Sequence, residues 1–293
     1  MQKVMKLTYH YHSGFSVRIG ATLLIFDYWE GEKSQMPESG KITAQMLAAF
    51  EKIYVFVSHG HPDHFERDLI YSWQDAGLPV TYICSKDMPV GCRGKRMGPL
   101  DTLKLSQDIF VQAYDSTDLG VSYLVKAYGM NIFHAGDLNL WHWRQESTLR
   151  EIEAAENAFY QALEPLTGER IDVAMFPVDP RQGAMYDAGA NHFILSQKPR
   201  VFIPMHWQDR VEVAIDFSRR AKNPLTEVLA MTRPGEMAII TFHTEKNVDV
   251  HIIEPPKDIR QFPVPPVRKA KRAPESFDGN DPFEDTDLPV DLL

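Results

Sequence analysis

Four potential metal ligands stand within six positions of one segment, directly after a run of apolar residues. The run, residues 53–57, is β-branched and aromatic and predicts a buried strand; residues 58–65 then read Ser-His-Gly-His-Pro-Asp-His-Phe. Gly60 and Pro62 disfavour a helix, so this ligand loop is predicted to leave the end of the strand. Any fold of this chain must therefore gather several polar side chains at one strand end.

The candidate ligands of this loop are His59, His61, Asp63 and His64. Neutral imidazoles and carboxylates are groups that zinc, iron and manganese accept. Alternate positions of an extended loop point to the same side, so His59 and His61 can share one ion while Asp63 and His64 face a second. A histidine-rich surface loop is the simpler alternative, but four ligand-type residues at this spacing disfavour it.

The pattern His-x-His-x-Asp-His resembles the signature of the metallo-β-lactamase superfamily. Hydrophobic patterning alone indicates strands in two groups with helices between and outside them, an α/β or α+β fold class. It also predicts a helix over residues 43–52 and a surface loop over 85–99. The resemblance implies a four-layer αββα sandwich, with the metal site at one edge between two sheets.

Two later residues match single ligands of the superfamily, and each follows a predicted strand. Asp137, which follows Gly136, matches an aspartate that bridges two ions, a role that suits a carboxylate because it has two oxygens. His206, in the segment Ile-Pro-Met-His-Trp, matches the last histidine ligand. The resemblance therefore implies a centre with two divalent cations.

At the remaining ligand position the chain differs from the branch that it resembles best. This branch contains L-ascorbate-6-phosphate lactonase and related metal-dependent hydrolases. That branch has a histidine in an Ala-aromatic-His-Ser stretch, whereas residues 113–116 read Ala-Tyr-Asp-Ser. The resemblance implies that Asp115 takes the histidine's place, which would shift the metal preference from zinc toward manganese or iron. Alternatively, Asp115 is a turn residue that caps its own backbone.

Other residues are predicted to support the site without binding metal. The resemblance implies that Asp27 orients the ligand loop from behind and that His12 faces the site. His12, His134 and Asp63 are candidate catalytic groups, although His134 is also compatible with an ordinary histidine at a strand end.

The substrate side of the site is predicted from three residues. Trp141 and Trp143 flank a histidine just after Asp137, and they either form a wall against the substrate or pack against a helix over residues 147–163. Arg181 is a candidate partner for an anionic group on the substrate.

Composition narrows the partners of this 293-residue chain. Its net charge of −9 disfavours nucleic acids and anionic membrane surfaces. No apolar run reaches the length of a transmembrane helix, and the N-terminus has no signal-peptide core. Cys84 and Cys92 form no CxxC motif and are expected to be free thiols, which favours a cytoplasmic location.

The C-terminal residues change in character. Residues 255–274 are rich in proline and contain a basic cluster, and residues 275–293 are acidic. The prediction is one hydrolase domain over residues 1–254 and a disordered tail over 255–293. The tail is either a solubilising extension or a docking peptide for a protein partner.

The most direct functional interpretation is a metal-dependent hydrolase for a small-molecule substrate. Two cations that share a carboxylate would lower the pKa of a bridging water, and the resulting hydroxide would attack a lactone or a phosphodiester. Two alternatives stay open: a phospholipase D-like phosphodiesterase, and a catalytically decayed binding or regulatory protein that acts through its tail.

Overall fold

The computed structural model describes residues 2–32, 36–143, 146–221, 223–244 and 247–255. Two β-sheets carry the fold within these residues. The strands are β1 (Lys3–Tyr11), β2 (Gly14–Ile19), β3 (Thr22–Phe26), β4 (Lys52–Val57), β5 (Val80–Ser85), β6 (Lys95–Met97), β7 (Thr102–Lys104), β8 (Ile109–Tyr114), β9 (Ser122–Ala127), β10 (Met130–His134), β11 (Val173–Pro177), β12 (Val201–Met205), β13 (Glu227–Val228), β14 (Met237–Phe242) and β15 (Val248–Ile253). The α-helices are α1 (Ala44–Leu47), α2 (Arg67–Asp75), α3 (Leu149–Leu163), α4 (Ala188–Gln197) and α5 (Val211–Arg220).

Each sheet combines an antiparallel part with a parallel part. The first sheet has the order β15-β14-β1-β2-β3-β4-β5-β6, and its strands from β3 to β6 are parallel. The second has the order β13-β12-β11-β10-β9-β8-β7, and its strands from β10 to β13 are parallel. Loops that leave the carboxyl ends of parallel strands meet at one edge of a sheet, where α/β proteins commonly bind ligands.

The two sheets pack face to face through alternate residues of their strands. In β3, Phe26 faces the second sheet, and its ring stacks on His134 of β10 with centroids 5.2 Å apart. Phe56 of β4 contacts Tyr123 of β9 at 5.4 Å in the same layer. Ile25, the neighbour of Phe26, belongs instead to a second apolar cluster on the outer side of the first sheet. This alternation, with a period of two, buries both faces of the sheet.

Helices cover the outer face of each sheet. Residues of α1 and α2, such as Leu47 and Trp73, join the cluster on the outer side of the first sheet. On the second sheet, Phe133 stacks on Phe193 of α4 at 5.3 Å, and other ring pairs join α3 and α5 to the strands. The predicted four-layer αββα sandwich is confirmed. None of the helices described above is both long and apolar enough to cross a membrane.

A buried histidine at the end of β1 makes stability depend on pH. His10 donates from Nδ1 to the Gly40 carbonyl (2.6 Å) and accepts from the Ser16 hydroxyl at Nε2 (2.8 Å). Burial lowers the pKa of His10 from its ordinary 6.5 to about 4. The unfolded chain therefore takes up this proton before the folded protein does. The stabilisation is fully present above pH 6.5 and is lost as the pH falls toward 4.

We expect the free energy of unfolding of the wild type, measured with urea, to fall by about 2 kcal/mol more between pH 7 and pH 5 than that of His10→Gln. The glutamine does not titrate, so equal losses in the two proteins would contradict this assignment.

Candidate metal centre

The polar residues of the site follow the carboxyl ends of parallel strands. Asp27 follows β3 and the ligand loop follows β4 in the first sheet. In the second sheet, Asp137, Asp179 and His206 follow β10, β11 and β12 in turn. The edge where the two sheets meet therefore collects side chains from five strand ends.

Three buried histidines converge on the carboxylate of Asp137. His64 Nε2 lies 3.1 Å and His206 Nε2 lies 3.4 Å from Asp137 Oδ1, and His59 Nε2 lies 3.5 Å from Oδ2. His61 joins them through its Nδ1, which is 2.9 Å from His59 Nε2. Asp137 therefore stands at the middle of the cluster and offers one oxygen to each side.

Three overlapping groups of potential ligand atoms result, each with its atoms within 4.8 Å of one another. The groups are His61, Asp118 and Asp137; His59, His64 and Asp137; and His12, Asp63, His64 and His206. The structure thus brings the four candidate ligands of the loop together with Asp137 and His206. His64 and Asp137 each belong to two groups, so the groups form one continuous cluster.

Several polar atoms of this cluster are buried without a partner. Within the described part of the chain, Nε2 of His12, His64 and His206 and Oδ1 of Asp137 make no hydrogen bond, although they lie 3.1–3.4 Å from one another or from Asp63. A buried polar atom left unpaired costs about 1–3 kcal/mol, so four of them in one place are costly unless a ligand binds. Imidazole nitrogens and carboxylate oxygens fit zinc, manganese or iron. The residues present therefore fit a metal centre.

Hydrogen bonds on the far side of two imidazole rings fix which nitrogen is free. His64 Nδ1 donates to Asp27 Oδ2 at 2.8 Å, and His206 Nδ1 donates to Asp179 Oδ2 at 3.0 Å. A carboxylate can only accept, so each Nδ1 carries the proton. In the neutral ring, Nε2 is then the nitrogen whose lone pair can bind a metal, as in carboxylate–histidine–metal arrangements.

Ser58 extends the same arrangement to His59. Its hydroxyl donates to Asp27 Oδ2 (2.6 Å) and accepts from His59 Nδ1 (2.9 Å), while its backbone N–H donates to Asp27 Oδ1 (2.7 Å). One buried carboxylate, Asp27, thus holds the start of the ligand loop and orients two of its histidines.

The central carboxylate is ionised. Burial alone would raise the pKa of Asp137, but the imidazoles of His64 and His206 hold it well below its usual range. By contrast, burial and the neighbouring His206 lower the pKa of His12 to about 4, against the opposing effect of Asp63. His12 is therefore neutral near pH 7, and its Nε2 lies 3.4 Å from Asp63 Oδ2.

The structure does not bring Asp115 into any of the three groups. Its side chain is exposed, and its Oδ1 accepts the backbone N–H of Ser116 at 3.0 Å, which is the turn role that the sequence left open. Asp118, three residues later, approaches His61 and Asp137 instead. The geometry replaces Asp115 with Asp118 as the candidate ligand because the turn directs the later carboxylate toward the site.

The geometry gives no support to the catalytic role predicted for His134. Its Nε2 donates to the Ser13 carbonyl at 2.8 Å, and its Nδ1 accepts the N–H of Gly136 at 3.2 Å. Both nitrogens are committed and the ring is fully buried, so it has no proton to offer a substrate. The ring instead joins β10 to the turn after β1.

Arg181 is also committed within the protein. Its Nε lies 2.8 Å from one oxygen of the buried Asp179, and its Nη2 lies 2.5 Å from the same oxygen. Asp179 also holds His206, so Arg181 compensates a charge that the site itself requires. The guanidinium charge is thereby paired, while 54% of the side chain stays exposed.

The two tryptophans after Asp137 lie beside the cluster. Trp141 donates from Nε1 to the Asp137 carbonyl at 2.9 Å, and its ring meets the His206 ring edge-on at 5.9 Å. Trp143 stacks on Trp141 at 6.1 Å with an interplanar angle of 8°. Of the two predicted roles, these contacts favour the wall.

Three polar residues of the site have left-handed backbone conformations, which residues other than glycine rarely adopt. They are His12 (φ 53°), Asp27 (φ 41°) and His206 (φ 61°). Such residues cost of order 1–3 kcal/mol each and persist where the surrounding structure requires them. Here each one ends or follows a strand and turns its side chain toward the cluster.

The sequence interpretation assigned no role in the site to two carboxylates. Asp118 lies in the same Asp-Ser-Thr-Asp turn as Asp115, and spacing alone does not choose between them. Asp179 follows β11 just as Asp137 follows β10, and that shared position was a usable signal.

The amino-acid sequence is similar to that of known metal-dependent hydrolases. No protein-family model matches the chain. It is 24% identical to a UPF0173 metal-dependent hydrolase of Heliobacterium modesticaldum, in an alignment that covers 82% of this chain and 99% of the relative.

Two solved structures are similar in fold. Igni18, a metallo hydrolase from the hyperthermophilic archaeon Ignicoccus hospitalis, is 20% identical with a TM-score of 0.59, covering 83% of this chain and 100% of that one. The metallo-β-lactamase fold protein YhfI from Bacillus subtilis is 12% identical with a TM-score of 0.53, covering 79% and 98%.

Proposed function

This chain has the metallo-β-lactamase fold, and on that premise we propose that it is a hydrolase that holds two divalent cations and cleaves a small ester-like bond. The observation that carries the proposal is the convergence of unpaired Nε2 atoms on the ionised Asp137. The relative from Heliobacterium modesticaldum, a metal-dependent hydrolase by name, supports the same activity.

The ligand groups suggest how two ions would be shared. We assign His59, His61 and Asp118 to the first ion and Asp63, His64 and His206 to the second, with Asp137 between them. When bound, such ions polarise a carbonyl or phosphoryl oxygen and lower the pKa of water. Compared with a histidine at the same ligand position, Asp118 makes the first site richer in oxygen, which favours manganese or iron over zinc.

The residues around the ligands have separate roles. Asp27 and Asp179 keep the imidazoles in the tautomer that leaves Nε2 unprotonated. His12 and Asp63 form a pair at the more accessible side of the cluster, with Nε2 3.4 Å from Oδ2, and we propose that the ionised Asp63 takes the proton released by the attacking water and gives it to the leaving group while His12 orients the carboxylate. His134 takes no part, because both of its nitrogens are engaged.

The alternative of a decayed site is disfavoured by the same geometry. A site that had lost its function would have no need for three imidazoles fixed in one tautomer or for a buried pair such as Asp179 and His206. Action through the tail remains a prediction, because residues 256–293 lie outside the described residues. The domain boundary at 254 and the cytoplasmic location also remain predictions.

Metal content and hydrolysis together test the proposal. The full-length protein is stripped with a chelator, reconstituted with zinc, manganese or iron, and analysed by elemental mass spectrometry. We expect about two equivalents of metal, followed by hydrolysis of at least one substrate in a panel of lactones and phosphodiesters. Failure of all three metals to bind would refute the proposal and favour the binding-protein alternative.

A pair of aspartate variants tests the ligand assignment. Asp118→Ala removes a carboxylate from the first group, whereas Asp115→Ala removes an exposed turn residue of the same loop. We expect Asp118→Ala to retain about one equivalent of metal and to lose roughly 100-fold in turnover. Asp115→Ala should retain both ions. The reverse pattern would restore Asp115 as the ligand.

A further inference from the structure

Six aromatic rings form a continuous row past the half of the cluster that contains His12 and His206. In order, the row is Tyr11, Trp29, His12, His206, Trp141 and Trp143, with successive centroids 5.5, 5.8, 4.1, 5.9 and 6.1 Å apart. Tyr11 and Trp29 are the two members that the sequence interpretation did not name. Tyr11 and Trp29 come from the first sheet, so the row crosses from one sheet to the other.

The rings at both ends of this aromatic row are held in place yet remain partly accessible. Tyr11, Trp29, Trp141 and Trp143 are each half-buried, whereas the two histidines between them are buried. Tyr11 donates its hydroxyl to Asp209 at 2.6 Å, and Trp141 donates Nε1 to the Asp137 carbonyl. Ring positions that are fixed in advance reduce the ordering cost when a flat group binds.

The side chains beside the two ends of the row carry acidic or paired charge. At the Trp29 end, burial together with the acidic Asp209 and Glu32 raises the pKa of the Tyr11 hydroxyl far above its usual value. At the other side, Arg181 is paired with the buried Asp179. A positive charge near the row would therefore come from the cations of the centre, next to the scissile bond, rather than from these side chains at its ends.

We propose that the substrate carries an uncharged, flat aromatic or conjugated group next to its scissile bond, and that this group lies along the aromatic row. The inference rests on the proposed hydrolase function and names its substrate class. Stacking and edge-on contacts with half-buried rings would position the bond beside His12 and His206, where the ligands converge. Trp29 and Trp143 then act as specificity-determining residues.

A binding experiment tests the row separately from catalysis. The probes are 1-naphthaleneacetamide, which is flat and uncharged, and cyclohexylacetamide, which is uncharged but not flat. Binding to the metal-loaded full-length protein is measured by calorimetry, and binding to the protein as purified is followed by tryptophan fluorescence. We expect the naphthalene probe to bind roughly tenfold more tightly than the cyclohexyl probe.

Variants at the two ends identify where the probe binds. Trp29→Ala and Trp143→Ala should each remove most of the tenfold preference; no hydrogen bond from either side chain to a ligand residue is seen in the described structure. Tyr160→Ala, which alters an exposed aromatic residue of α3 outside the row, should retain the preference. Because the preference is a ratio of two affinities, a general loss of binding leaves it unchanged.

The outcomes separate this inference from the proposed function. Equal affinity for the two probes, or a preference that survives in both tryptophan variants, would overturn the aromatic row as a substrate site. If the preference is present and depends on both tryptophans while no ester in the panel is hydrolysed, the row is supported and the hydrolase proposal fails.

Discussion

Replacing Asp137 with asparagine should deplete the metal centre and remove nearly all of the activity. Asp137 is the carboxylate on which His59, His64 and His206 converge, and it belongs to two of the three ligand groups. An amide keeps the shape but loses the negative charge that two cations would share. We expect less than half of the wild-type metal content and a loss of turnover on the order of 1,000-fold.

Elemental mass spectrometry and turnover of the best substrate in the panel measure the two effects. Asp115→Asn is the matched control, because it makes the same chemical change at an exposed aspartate and should leave both quantities near wild type. Circular dichroism checks that Asp137→Asn is folded. A folded Asp137→Asn protein with two bound ions and full turnover would show that Asp137 does not bridge the centre.

Replacing Gly120 with alanine should displace the ligand loop. Gly120 has a left-handed φ of 78°, and a Cβ at this position would overlap the Ser58 carbonyl oxygen and lie 2.6 Å from the His59 Cβ. Neither neighbour can move without shifting the loop, because Asp27 fixes Ser58. We expect a loss of about 4 kcal/mol in the free energy of unfolding and weakened metal binding.

Gly20→Ala separates overlap from backbone strain. Gly20 has a similar left-handed φ of 59°, but nothing lies within 4 Å of a Cβ built there. Its alanine variant should therefore lose only about 1 kcal/mol, with metal content unchanged. Urea unfolding of both variants gives the comparison. Equal losses in the free energy of unfolding would mean that the close approach of Gly120 to Ser58 does not contribute to the effect of the substitution.

The sequence predicted those parts of the molecule where one local pattern has one outcome. The apolar run before His59 could only be a buried strand, and it is β4. The long amphipathic pattern after residue 147 became α3, which begins after a capping box at Thr148. The helix predicted over residues 43–52 spans only Ala44–Leu47. The loop predicted over residues 85–99 contains β6, because pairing with β5 determines that short edge strand.

The site was less predictable where a side chain's direction depends on tertiary contacts. Asp115 and Asp118 are both typical turn residues, and only the folded structure shows that Asp118 is the one that approaches His61. Trp29 follows β3 with no local sign that His12 would lie against its ring, since the two meet through different strands. Local patterns can identify ligand types, but they do not determine which side chains meet.

The left-handed conformations of His12, Asp27 and His206 imply that the site is formed at a cost to the stability of the folded protein. A chain selected only for resistance to heat would have glycine or asparagine at these three positions, because they adopt such backbone angles at lower cost. Their presence at strained positions is the pattern expected where the side chains themselves are needed. Thermostable versions of this fold would therefore need to gain stability at positions away from these three strand ends.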